Sequence, residues 1–171
     1  DLETAAAVKW LAEHEGPAFL RLTRQNVPRV HAEGYQFQFG KVDTLREGTD
    51  AVIFASGGTV APALEAAAAL EKEGISLRVV NVHTIKPLDV KGVVAAVQAS
   101  GNLAISAEDH TVIGGLGGAI AEALSANHPA RLLRIGVQDV FGESGSPEDL
   151  LAKHGLDAAG IARQVRAFVR G

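Results

Sequence analysis

The chain has 171 residues, 47% of them hydrophobic, with 16 basic against 20 acidic side chains and a net charge of −4. That is one ordinary domain with an extra piece; it argues against nucleic acid as a partner, and no apolar run approaches the ~18 residues of a membrane span. Cysteine is absent, which excludes disulfides, thiolate catalysis and zinc–cysteine sites; with no signal-peptide pattern, this fits a cytoplasmic protein.

In chain order, Leu2, Ala5, Ala6, Lys9 and Trp10 follow a helical period that Gly16-Pro17 stops. Ala18 to Leu22 reads as a buried strand. An uncapped helix feeding one strand makes no core of its own. Methionine is absent even at position 1. Residues 1–26 are therefore expected to be the tail of a preceding, incomplete domain. Residues 27–49 read as a linker broken by Pro28, Gly34, Gly40 and Gly48. In it Tyr35, Phe37 and Phe39 alternate, and Val42 and Leu45 suggest a small hairpin before Glu47-Gly48. From 50 to 171 the pattern is regular. Ala51–Ala55 is a strand, and Thr59 is expected to cap a helix over 60–73 that Gly74 ends. Leu77 to Val82 is a second strand. Pro87-Leu88-Asp89 precedes a helix carrying Val93, Val94 and Val97. Leu103 to Ser106 is the third strand, with a helix after Gly118 behind it. Arg131 to Val137 is the fourth, and two helices follow near 147–153 and 158–169. Alternating strands and helices predict an α/β fold with a mostly parallel sheet covered on both faces.

Three places carry candidate chemistry. Arg24 follows the first predicted strand within Thr23-Arg24-Gln25-Asn26, and strand ends are where ligands bind in parallel α/β proteins. Its guanidinium suits a phosphate held through two hydrogen bonds; the alternative is an arginine paired with a local carboxylate. Glu108, Asp109 and His110 sit at another strand end. They suit acid–base work, or else cap the turn and pair across a subunit contact. No metal-ligand spacing exists among the six histidines. Gly114, Gly115, Gly117 and Gly118 invite a nucleotide-loop reading, but the third fingerprint position falls on Ile120 and no Lys-Ser/Thr follows. Those glycines are read as a tight turn and close helix packing. Ser146-Pro147 with Glu148 and Asp149 reads as a helix start.

Together these segments resemble transketolase. Thr23-Arg24-Gln25-Asn26-Val27-Pro28 is similar to the Ser-Arg-Gln-Asn-Leu-Pro segment that closes the pyrimidine-binding domain of transketolases. Thr84 to Asp89, Glu108-Asp109-His110 with Gly114 to Gly117, and Phe141 to Gly145 resemble the transketolase C-terminal domain. The resemblance covers essentially the whole chain, and is especially close to the C-terminal subunit of transketolases encoded as two chains. It implies a three-layer αβα fold with a twisted sheet. It also implies ketol transfer between sugar phosphates, with thiamine diphosphate and Mg2+ in the complete enzyme. In the family the cofactor lies between a diphosphate domain and the middle domain of the partner subunit. None is expected to bind this chain alone. Of the family's ligand residues only the substrate-phosphate arginine is matched, by Arg24. Catalytic, cofactor and metal residues are not expected in this section. The resemblance also implies a homodimer, or a heterotetramer with an N-terminal diphosphate-binding subunit. The C-terminal parts of 1-deoxyxylulose-5-phosphate synthase and of 2-oxo acid dehydrogenase beta subunits look similar but lack the Arg-Gln-Asn segment. A different alternative is a non-catalytic dimerisation or regulatory domain.

Overall fold

A computed structural model describes residues 1–23 and 26–171. Helix α1 spans Leu2–Glu13. Past an irregular stretch come β1 (Asp43–Arg46), β2 (Ala51–Ala55), α2 (Val60–Glu71), β3 (Leu77–Asn81) and α3 (Val90–Gln98). Then follow β4 (Leu103–Thr111), α4 (Leu116–Asn127), β5 (Arg131–Val137), α5 (Pro147–His154) and α6 (Ala158–Arg170). The sheet order is β1-β3-β2-β4-β5. Strands β3, β2, β4 and β5 are parallel, and β1 closes one edge antiparallel to β3. The predicted mostly parallel sheet is therefore present.

Burial on both faces explains the unbroken apolar strands. Ile53, Val79, Ile105 and Ile135 pack with Leu70 of α2 and Ile161 and Val165 of α6. On the other face Val52, Phe54 and Val80 meet Val93 and Val97 of α3 and Leu116, Ile120 and Leu124 of α4. Each fully buried side chain of this size contributes roughly 1.5–3 kcal/mol. Helix ends follow local chemistry. Asp89, Ser146 and Asp157 accept backbone N–H bonds from Gly92, Asp149 and Gly160. Pro147 occupies the first turn of α5, where it forfeits no intrahelical bond.

Five expectations change. Ala18 to Leu22 forms no strand. Among the described residues no strand pairs with it, and Phe19 stands 89% exposed and Leu22 55%. The predicted hairpin before Gly48 is instead β1 paired with β3, Asp43 opposite Asn81. Thr59 does not cap α2 with its side chain. A short 3-10 turn, Gly57–Thr59, turns its hydroxyl toward the carbonyl oxygens of Ala107, at 2.8 Å, and Ser56, at 2.9 Å. Helix α2 ends at Glu71, before a turn that reaches Gly74. β4 continues through Glu108-Asp109-His110 to Thr111, and α4 begins at Leu116 rather than past Gly118. No helix among the described residues is long and apolar enough to cross a membrane.

Candidate functional site

The sheet order reverses between β2 and β4: the chain leaves β2 for β3 on one side and reaches β4 on the other. The crevice beyond the carboxyl ends of these strands is the natural ligand position in such a fold. Glu108 occupies it. Its side chain is 3% exposed. One carboxylate oxygen accepts from the N–H of Leu116 at 2.7 Å and the other from Gly117 at 2.8 Å. A helix N-terminus leaves such amides without internal partners and favours negative charge. Here the chain supplies its own anion. The neighbouring glycines make room for it. A Cβ on Gly115 would lie 1.9 Å from a Glu108 carboxylate oxygen, and one on Gly117 2.8 Å from Ser106 Oγ. The tight-turn and packing reading of this loop holds, and of the three charged residues it is Glu108 that caps the turn.

His110 points away. Its side chain is 46% exposed, and Nδ1 lies 3.8 Å from Glu108 Oε2. Nδ1 is 2.7 Å from the carbonyl oxygen of Thr111. A carbonyl only accepts, so Nδ1 carries the proton in that contact. The Asp109 carbonyl oxygen accepts from Arg21 at 3.2 Å, which ties the exposed segment before Thr23 to the end of β4. Arg24, the predicted phosphate ligand, lies outside the described residues. Past β5, the Phe141-to-Gly145 loop is fastened by Glu143 to Lys153 of α5 at 2.5 Å. That ion pair holds the Glu143 carboxyl below the usual carboxylate range. Phe141 itself is 97% exposed.

A second polar cluster lies where α1, the irregular stretch and β1 meet. His31 Nε2 is 3.0 Å from Glu3 Oε2, and its Nδ1 is 3.4 Å from Asp43 Oδ2. The Asn81 amide, buried at the end of β3, donates to the same Glu3 oxygen. The His31 ring stacks on Tyr35 at 3.8 Å between centroids. Burial first, then Glu3 and Asp43, push the Tyr35 hydroxyl far up. Burial pulls His83 below the ordinary imidazole value, against Glu3 and Asp43, with His31 adding to the lowering. Tyr35, Lys41, Asp43 and His83 border a cleft of about 260 Å³ there. Sequence reasoning missed this cluster, because its members are scattered along the chain from Glu3 to His83.

Among the described residues no group of three His, Cys, Asp or Glu side chains could hold a metal ion. The glycine turn's free amides are filled by Glu108, so it does not fit a diphosphate. Residues 40–161 match the family model described as "Transketolase, C-terminal domain". The chain is 44% identical over 158 residues to the 6-deoxy-6-sulfo-D-fructose transketolase subunit SqwH of a Clostridium species, covering 92% of this chain and 49% of that one. It is 40% identical over 163 residues to 1-deoxy-D-xylulose-5-phosphate synthase 1 of Geobacter metallireducens, covering 93% and 26%. A solved structure titled "Split gene transketolase, inactive beta4 tetramer" superposes with a TM-score of 0.92 at 44% identity, covering 98% of this chain and 55% of the other. The chain spans about half the length of the transketolase relatives it matches.

Proposed function

This chain belongs to the transketolase family as its C-terminal section, and we propose that the complete protein moves a two-carbon ketol unit between sugar phosphates. The observation that carries this is the likeness to the split-gene transketolase chain, which covers 98% of this chain and so extends ahead of residue 40, where the matched C-terminal domain begins. On this reading residues 1–26 close a pyrimidine-binding domain, residues 27–49 link it, and residues 50–171 are the C-terminal domain. The complete enzyme uses thiamine diphosphate and Mg2+, bound outside the described residues, and the cofactor supplies the carbanion chemistry. This section contributes subunit contacts, in a homodimer or in a heterotetramer with a diphosphate-binding subunit. It works in the cytoplasm.

Arg24 is the residue assigned to substrate, gripping the phosphate of the sugar. Arg24→Ala in the complete enzyme raises KM for a phosphorylated aldose about 30- to 1000-fold. That corresponds to roughly 2–4 kcal/mol for a partly desolvated charge-assisted contact. It leaves an unphosphorylated aldose nearly unchanged, and Arg24→Lys restores part of the loss, because an ammonium lacks the planar fork. Steady-state kinetics on that matched pair is the test. Equal losses on both substrates would remove Arg24 from the phosphate. Donor preference separates the relatives: ketose phosphate supports transketolase, whereas turnover with a 2-oxo acid donor alone would reassign the chain.

A further inference from the structure

We infer that the cleft bordered by Tyr35, Gln36, Gln38, Asp43 and His83 is a binding site for a small organic cation, an alkylammonium compound. The cleft lies beside the carboxyl end of β3, where Asp43 stands opposite Asn81 and His83 follows. Its volume of about 260 Å³ is just under the ~300 Å³ at which ordinary ligand sites begin. The occupant is therefore small.

Charge and hydrogen-bonding capacity choose the ligand. Glu3, Asp43 and Asp89 bring negative charge. Lys41, which also borders the cleft, has its ammonium 3.6 Å from Asp89, and burial keeps His83 neutral. Whichever charge His31 carries, the balance stays negative. The rings feel that field: Glu3 and Asp43 add to burial in pushing the Tyr35 hydroxyl up, and they oppose burial at His83. Among the described residues no hydrogen bond reaches the Asp43 carboxylate. His31 Nδ1 stands 3.4 Å from it, and the His31 ring bonds to Glu3 instead. Gln36 donates its amide N–H to the Gly34 carbonyl, which leaves its oxygen to accept. Acceptors short of donors suit an ammonium, which has three N–H donors and no acceptor. Val42 lines the cleft for the alkyl carbons, and the Tyr35 ring adds a π system that attracts cations. A metal ion fits poorly, since no group of three His, Cys, Asp or Glu among the described residues could hold one. An anion would be repelled by the carboxylates.

The site rests on this cleft and not on the ketol-transfer reading, so activity is no part of its test. The complete protein is titrated with butylammonium, 1-butanol and butyrate, which share a carbon chain and differ in charge. Side-chain amide signals of Gln36 and Gln38 and ring signals of His83 report binding. Butylammonium shifts them saturably, with a Kd on the order of 1–10 mM for so few atoms, while the backbone signals of α4 stay still. 1-Butanol and butyrate bind about tenfold more weakly or worse, the size of a lost charge-assisted bond. Asp43→Asn weakens butylammonium about tenfold for the same reason. Lys41→Gln removes the competing cation and tightens butylammonium about two- to fivefold, a gain that a misfolded variant cannot produce. Equal binding of 1-butanol or butyrate, shifts that never saturate, unchanged affinity in Asp43→Asn, or no gain in Lys41→Gln would each overturn the site.

Discussion

At the end of β4 one carboxylate holds the first two amides of α4, and the consequences fall on single atoms. Glu108→Gln keeps the shape but has one acceptor oxygen for two N–H donors. It turns an NH2 group against the second. A buried donor left without a partner costs roughly 1–3 kcal/mol. For a chain of this size each kcal/mol lowers Tm by about 2–4 °C. Glu108→Ala strands both amides, and millimolar formate should restore part of the stability by taking the vacated place. Thermal unfolding with and without formate checks this; an unchanged Tm in both variants would mean the carboxylate is replaceable by water. Sequence made the triplet Glu108-Asp109-His110 visible as polar chemistry but not its division. Glu108 is buried and His110 half-exposed along a strand whose register shifts between Ala107 and Thr111, and only the folded sheet sets that difference.

At the scale of elements, what was legible were the segments whose burial the chain itself announces. The apolar runs of β2, β3 and β5 and the Ser146-Pro147 start of α5 fall where the pattern puts them. Ala18 to Leu22 has the same apolar pattern but, among the described residues, no strand to pair with, and a strand is a property of two segments. Thr59 has the right residue type for a cap, yet the preceding turn aims its hydroxyl at Ala107 instead. The loop after β3 carries a pH prediction. His83 is pulled below its ordinary value of 6.5, so just below pH 6.5 the unfolded chain binds more protons there than the folded one. Its contribution to stability is complete above pH 6.5 and is lost as the pH falls through the lowered folded value. His83→Gln therefore flattens the acid side of the stability curve. Urea unfolding at pH 5 and pH 7.5 measures this, and an identical pH dependence in the variant would contradict it.

Across the whole molecule, exposed apolar side chains gather on segments that meet at the carboxyl end of the sheet. Phe19 and Leu22 lie on the segment tethered to Asp109, Ile113 follows β4, and Val140 and Phe141 follow β5. Exposed patches of this kind mark contact surfaces, and they support the proposed subunit interface. Phe141→Asp is expected to weaken self-association by tenfold or more while leaving Tm nearly unchanged at low concentration. Sedimentation over a range of concentrations reads it; association equal to wild type would put the interface elsewhere. The regular alternation of strands and helices after residue 50 was legible from its apolar periodicity. The docking of β1 onto β3 was not, since it depends on an edge more than thirty positions away, with Arg46 opposite Val79 and Asp43 opposite Asn81. That docking has a further consequence. β1 is four residues long and irregular at Thr44–Arg46, yet it covers the apolar flank of β3, whose Leu77, Val79 and Val80 are fully buried. A protease nick that strips the chain back to Gly48 would leave the body folded but uncover a row of vacant backbone donors and acceptors, a template for strand addition between molecules. The modest ribbon ahead of the body is thus its guard against fibrous growth, and the place to cut such a domain for expression lies before residue 40, not at the first strand of the parallel sheet.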